Sequence, residues 1–177
     1  MSEKYLKLER FFYKNPDLKT HLRGLAEKIN TSPGFISKKI DSLIKKGIVK
    51  EKREGNMRTF SANTRNDKYR RSKRAFNIQE ILTSDLIPQL ENNLYPDGLI
   101  LFGSYSKGTD TKNSDIDIAV LNGRKNTTDL SDYEEKMERS INLTYTTLEK
   151  AEPEFIETLA NGLVLTGYLE VPQNAQN

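Results

Sequence analysis

The fold is decided by Leu99-Ile100-Leu101-Phe102-Gly103-Ser104-Tyr105-Ser106-Lys107-Gly108, followed after residues 109–114 by Asp115-Ile116-Asp117-Ile118-Ala119-Val120-Leu121. The run Leu99-Ile100-Leu101-Phe102 is continuously apolar, as expected of a strand buried on both faces. It opens directly into Gly103 and Ser104. Glycine at a strand-to-helix turn lets a phosphate approach the main chain, and Ser104 offers a hydroxyl and an N–H to an anion there. Along 115–121 side chains alternate, so Ile116, Ile118 and Val120 face one way and Asp115 and Asp117 the other. Two same-face aspartates lie about 7 Å apart along a strand, close enough to converge on one divalent cation. Uncompensated carboxylates on a buried strand are costly, so a cation is the expected compensation, and oxygen ligands favour Mg²⁺ or Mn²⁺. The alternative is two solvent-facing aspartates at a sheet edge.

Gly103-Ser104, ten residues, then Asp115-Ile116-Asp117 resembles the G-S-x10-D-x-D signature of the minimal nucleotidyltransferase family, in the DNA polymerase beta superfamily. The resemblance extends over roughly residues 80–170, and its spacing and apolar context make it far more specific than a lone glycine motif. It implies transfer of a nucleoside monophosphate from an NTP, with ATP expected, to a hydroxyl of a protein or small molecule. Gly103 and Ser104 would bind the nucleotide's terminal phosphates, and Asp115 and Asp117 would be both metal ligands and catalytic residues. Lys107 and Lys112, in the intervening loop, are either phosphate contacts or ordinary solvated lysines.

One departure from the family pattern stands out. Members carry a third carboxylate on a following strand, expected here at 141–146 after a helix built on Leu130, Tyr133, Met137 and Ile141, with Ser131 and Glu134 as its capping box. Ile141, Leu143 and Tyr145 share one face of that strand; Asn142, Thr144 and Thr146 share the other, and none is acidic. Alignment puts Thr144 at the third position, with Glu149 the nearest acid downstream. A neutral residue there removes the obvious base. Two readings follow: a Mg-dependent nucleotidyltransferase, or a degenerate domain that binds nucleotide or a protein partner without catalysis. Minimal nucleotidyltransferases are often antitoxins, so an RNase toxin is an expected partner under either.

The other half of the chain differs in charge. The full sequence has 177 residues and a net charge of +3. Residues 1–76 hold 21 Lys/Arg against 8 Asp/Glu, net +13, whereas residues 77–177 hold 7 against 17, net −10. Such asymmetry points to two modules with different partners, and a basic module suits a nucleic-acid backbone. Its apolar pattern predicts a helix through Leu6, Phe11 and Phe12 ending near Asn15-Pro16, then one on Leu18, Leu22, Leu25, Ala26 and Ile29. A third helix, capped by Ser32 with Pro33 in its first turn, buries Ile36, Ile40, Leu43 and Ile44 and ends at Gly47. A basic hairpin follows, turning at Glu54-Gly55-Asn56 and returning from Met57 to Ala62.

Helix, helix, turn, helix and hairpin resemble the winged helix-turn-helix of transcription regulators. That resemblance implies binding to double-stranded DNA through Ser37, Lys38, Lys39, Ser42 and Lys45 on the third helix and Lys52, Arg53 and Arg58 on the wing. The competing reading is a solvated basic face or a protein-interaction module. Residues 65–76 read as a basic connecting helix, whose charge either extends the DNA footprint or pairs with the acidic half.

Composition narrows the chemistry. With Cys 0 and a single His21, thiolate chemistry, a disulfide framework, His-based metal sites and His-dependent triads are set aside. No stretch approaches the ~20 apolar residues of a membrane span. The opening Met1-Ser2-Glu3-Lys4 lacks the apolar segment of a signal peptide, so a cytoplasmic location without membrane partners is expected. The expected fold class is α+β: an N-terminal winged helix-turn-helix domain (1–63), a basic connecting helix (64–80), and a nucleotidyltransferase fold with a small mixed sheet flanked by helices (81–171). A flexible tail (172–177) closes the chain, and a homodimer would let paired DNA-binding domains read two half-sites.

Overall fold

The computed structural model describes residues 3–55 and 57–169, with side chains described from Leu6 onward except at Glu54. The expected tail at 172–177 and the turn residue Asn56 lie outside the described residues. The chain divides into two compact units, Met1–Phe76 and Asn77–Asn177.

In the first unit, α1 (Glu3–Lys14) buries Leu8, Phe12 and Tyr13. It stops before Pro16, and the Asn15 amide donates to the Phe11 carbonyl at 2.9 Å, satisfying one of the carbonyls a helix end leaves unpaired. Leu18 is not helical, contrary to the expectation from periodicity. A three-residue strand, β1 (Lys19–His21), precedes α2 (Leu22–Lys28), and Thr20 is its one inward residue. So short a strand is set by its pairing partner and carries no signal of its own.

Helix α3 (Pro33–Lys45) begins as its sequence dictates: Ser32 Oγ accepts from the Phe35 N–H at 3.2 Å, with Pro33 in the first turn. Ile36, Ile40 and Leu43 are fully buried. Gly47 ends it at φ +78°, in the left-handed region, against the Asn66 side chain. Strands β2 (Val49–Glu54) and β3 (Met57–Ala62) form an antiparallel hairpin, and β1 adds to β3, giving the order β1-β3-β2. The N-terminal part of α4 (Asp67–Leu82) closes this core. Tyr69 Oη donates to the Phe12 carbonyl at 3.0 Å, and the buried Lys73 Nζ to the Tyr13 carbonyl at 2.7 Å.

The second unit starts within α4 and continues into α5 (Leu86–Leu94), whose Leu86, Leu90 and Leu94 are fully buried. The apolar series from Ile78 to Leu86 reads as one helix, but Asp85 takes φ +58° and breaks it into two. There follow β4 (Gly98–Phe102), α6 (Gly103–Lys107), β5 (Ile116–Leu121), α7 (Ser131–Met137), β6 (Ile141–Thr146), α8 (Pro153–Ala160) and β7 (Leu163–Gly167). The sheet order is β6-β5-β4-β7, with β5 and β6 parallel and the other pairs antiparallel. This is a mixed sheet in an α+β unit, as expected. One face packs Leu99, Leu101, Ile116, Ile118 and Val120 against α5; the other carries Ile100, Ala119 and Leu121 against Leu159 of α8.

Three local expectations are corrected. Asp115 precedes β5 rather than lying in it. Ser131 and Glu134 make no capping box, because Leu130 holds the N-cap and the Glu134 carboxylate accepts the Ile141 N–H at 2.7 Å. Ile141 belongs to β6 and not to the preceding helix, since α7 ends where Glu138 turns to φ +55°. No helix among the described residues is long and apolar enough to cross a membrane. Replacing Ser32 by Ala removes the α3 cap without touching the core, and is expected to lower the stability of the first unit by about 1 kcal/mol in chemical denaturation.

Candidate functional site

The site grows from register. In the antiparallel pairing Phe102 stands opposite Asp117, and in the parallel pairing Asn142 stands opposite Asp117 on the other side. Phe102, Asp117 and Asn142 therefore lie across one face at the end of the central strands. The Phe102 ring meets Phe155 of α8 edge-on at 5.5 Å, which marks the apolar limit of the site.

Immediately after Phe102 the chain turns at Gly103, with φ +73°. A Cβ built there would stand 2.5 Å from Asp117 Oδ2. Glycine is required twice over, by the left-handed backbone and by the close carboxylate. Ser104, half-buried, follows in the first turn of α6, and Gly108 at φ +69° ends that short helix. Gly103, Ser104, Asp115 and Asp117 are thus brought together.

Asp115 is exposed and Asp117 half-buried. Asn142 Nδ2 donates to Asp115 Oδ2 at 3.0 Å and lies 3.4 Å from Asp117 Oδ1. This displaces Thr144 from the third position suggested by alignment: Thr144 pairs with Ala119, two residues farther along the sheet. Glu149 sits in the turn beyond the opposite end of β6, where hydrogen bonds from its own N–H and from Thr147 hold its carboxyl below the ordinary range. Among the described residues no group of three His, Cys, Asp or Glu is arranged to hold a metal ion.

The loop between Ser104 and Asp115 is anchored by residues that the sequence did not single out. Asp110 is buried, and Asn77 Nδ2 bridges its Oδ1 at 2.8 Å and the Tyr105 carbonyl at 2.9 Å. The buried Arg139 guanidinium stands 3.7 Å from Asp110 Oδ2. Burial, with the nearby Glu80 and Asp110 carboxylates, pushes the Tyr105 phenol well above its ordinary range, so it stays protonated. Lys112 is turned onto Glu138, and both line a cleft of about 450 Å³ that reaches Asp115, Glu134 and Arg139. Lys107 is exposed.

Residues 84–167 match the family model described as Polymerase beta, Nucleotidyltransferase. A solved structure described as the toxin-antitoxin with AMP-PNP is 30% identical, covers 52% of this chain and 74% of its own, and has a TM-score of 0.36. Residues 84–167 thus carry a nucleotidyltransferase domain of the polymerase beta type. Lactococcus lactis ZitR, as a cysteine-to-serine mutant, is 17% identical, with a TM-score of 0.39 over 49% of this chain and 60% of its own. A glutamate-to-alanine mutant of ZitR is likewise 17% identical, at a TM-score of 0.37 over 49% of this chain and 59% of its own. No curated protein matches the chain.

The nucleotidyltransferase domain's donor set suits a hard divalent cation. Its two neighbouring carboxylates already direct oxygens at one polar group, the Asn142 amide, and all available ligand atoms there are oxygen or amide.

In the first unit, α3 exposes Ser37, Lys38, Ser42 and Lys45, with Lys39 half-buried. The same face carries Asp41, which the sequence reading passed over. On the hairpin Arg53 and Arg58 stand directly opposite each other, an arrangement of like charges that needs an anion. Glu51 supplies it: Arg53 Nε and Arg58 Nε donate to its Oε1 at 2.7 and 2.8 Å, and Arg58 Nη2 to its Oε2 at 3.0 Å. Arg58 Nη2 also reaches Asp41 Oδ1 at 3.2 Å, and the guanidinium lies over the Phe60 ring at 5.2 Å. Lys52 is exposed on the other face of the hairpin. Arg58 therefore braces the hairpin against α3.

Two outcomes are expected. Gly103→Ala should cost about 1–3 kcal/mol of stability in denaturant unfolding, because it forces a side chain into left-handed backbone and against Asp117. The second concerns Glu51, whose carboxyl the two arginines hold down to about 2 from an ordinary 4.5. Its stabilisation is present above the unfolded value of about 4.5 and is lost as pH falls towards about 2. The stability difference between wild type and Glu51→Gln, followed by denaturation across that window, should shrink as the medium is acidified.

Proposed function

We propose that the second unit binds an NTP with Mg²⁺ (or Mn²⁺) and transfers its nucleoside monophosphate to a hydroxyl of a protein or small molecule, with ATP the expected donor. The first unit serves as a winged helix-turn-helix that binds duplex DNA. The supporting observation is the packing of Gly103 on Asp117, which sets the Ser104 turn and the aspartate pair side by side. Ser104 Oγ and the main-chain N–H groups of the turn are suited to the terminal phosphates, and Asp115 and Asp117 to the cation. When bound, the cation neutralises triphosphate charge and supports departure of pyrophosphate. In the transfer, an acceptor oxygen bonds to the α-phosphorus, the α–β bridging bond breaks, and the acceptor's proton passes to solvent. Asn142 cannot take that proton, so slow transfer is expected.

The same residue favours a second reading. A neutral amide beside the aspartate pair suits nucleotide binding without catalysis, in a transcription regulator or antitoxin that senses NTP or engages a protein partner such as a toxin. Incubation with labelled NTPs, Mg²⁺ and cell extract separates the two. The enzyme reading expects a labelled acceptor that disappears with Asp115→Ala or Asp117→Ala; no transfer, with NTP binding intact, leaves the binding module.

For DNA, the proposed groove or phosphate contacts are Lys38 and Lys45 on α3, flanked by Ser37, Lys39 and Ser42, with Lys52 and Arg53 on the wing. Arg58, occupied by Glu51 and Asp41, acts on DNA chiefly by holding the wing in place. A homodimer would present two such helices to paired half-sites. Duplex affinity should fall steeply with salt, and Lys38→Ala should reduce the slope of log K against log salt by about 1, as loss of one phosphate contact requires. Unchanged affinity and slope would remove Lys38 from the interface.

A further inference from the structure

Asn142 lies at the one place where its side chain meets both Asp115 and Asp117. Its amide nitrogen stands 3.0 Å from Asp115 Oδ2 and 3.4 Å from Asp117 Oδ1. Two carboxylates facing a common point repel each other, and an N–H₂ group relieves this by giving one hydrogen to each. A divalent cation bound by both aspartates would occupy the same point, and there an N–H₂ group would be repelled. The asparagine χ2 torsion is broad and roughly two-fold, so half a turn exchanges the nitrogen for Oδ1 with little other movement. Asparagine carbonyls are ordinary ligands of hard cations. Asn142 is also exposed and outside the apolar core, so the rotation disturbs no packing.

We infer that Asn142 is the third protein ligand of the cation at Asp115 and Asp117, donating N–H to the carboxylates without metal and turning its carbonyl oxygen to the metal when it binds. This rests on the nucleotide-binding reading of the site. A neutral third ligand leaves the protein's contribution at two negative charges, which balances a single divalent cation. The site is thereby adapted to hold one metal with its nucleotide rather than to assemble a strongly anionic two-metal centre.

Mn²⁺ binding, measured by electron paramagnetic resonance of the free ion with and without AMP-PNP, tests the inference on the full chain. Asn142→Ala should weaken Mn²⁺ binding about tenfold, the scale of losing a group that supports a metal site. Asn142→Asp separates a ligand from a mere spacer. It keeps the oxygen and loses both N–H donors, so it should bind Mn²⁺ more tightly than wild type if Asn142 is a ligand. If the amide only holds the carboxylates together, Asn142→Asp adds repulsion and does no better than Asn142→Ala. In wild type the Asn142 side-chain amide signals should broaden on Mn²⁺ addition in ¹⁵N-correlated NMR spectra. Wild-type binding matched or exceeded by Asn142→Ala overturns the ligand role alone. Absence of Mn²⁺ binding by wild type and Asn142→Asp, even with AMP-PNP, overturns the nucleotide reading and this inference together.

Discussion

The second unit is organised around the cost of setting two carboxylates side by side at the end of a buried strand. Asp117 tolerates its position because Gly103 leaves room beside it and because Asn142 offers hydrogens to it and to Asp115. Both neighbours arrive through strand register. Antiparallel pairing delivers the end of β4, and with it the Gly103 turn; parallel pairing delivers the start of β6, and with it Asn142. A one-residue slip in either pairing would turn those groups to the opposite face. The apolar residues of the central strands are what forbid the slip, since Leu99, Leu101, Ile116, Ile118 and Val120 must all remain against α5. Core packing and site geometry are one constraint seen from two faces of the sheet.

A second layer holds the connecting loop. Asp110 is a buried charge, and such a charge persists only with partners. Asn77 and Arg139 provide them, and Asn77 ties the same point to the Tyr105 carbonyl of α6. The loop that carries Asp115 back to the sheet is therefore pinned at Asp110 by groups from α4 and from the turn between α7 and β6. Removing one partner of such a set leaves the others buried and unsatisfied, which costs more than the bond itself contributed.

In the first unit, part of the positive charge is paired within the unit itself. Of its basic hairpin residues, Arg53 and Arg58 converge on Glu51, and Arg58 spans from there to Asp41 on α3. This arrangement commits part of the positive charge to fixing hairpin to helix. Lys38 and Lys45 are exposed on the outward side of α3, and Lys52 on the opposite side of the hairpin.

Much was legible in the chain before folding. Helix α3 was readable because its cap, its proline and its apolar spacing are local signals, and the Gly103–Ser104 to Asp115–Asp117 constellation because its spacing is rigid. Helix α5 was missed because the apolar series runs across Asp85 without interruption, and only a left-handed residue divides it. Strand β1 was missed because three residues hold no period. The sequence by itself determined that Asp117 faces the Gly103 turn, since the alternation along β5 and the glycine that follows β4 lie in one short stretch, residues 99–121. Only tertiary structure decided that Asn142, not Thr144, stands beside them, and that Asp41 and Asp110 matter at all. Parallel pairing, and contacts between residues distant in the chain, depend on how whole strands and helices pack, and no local pattern records that.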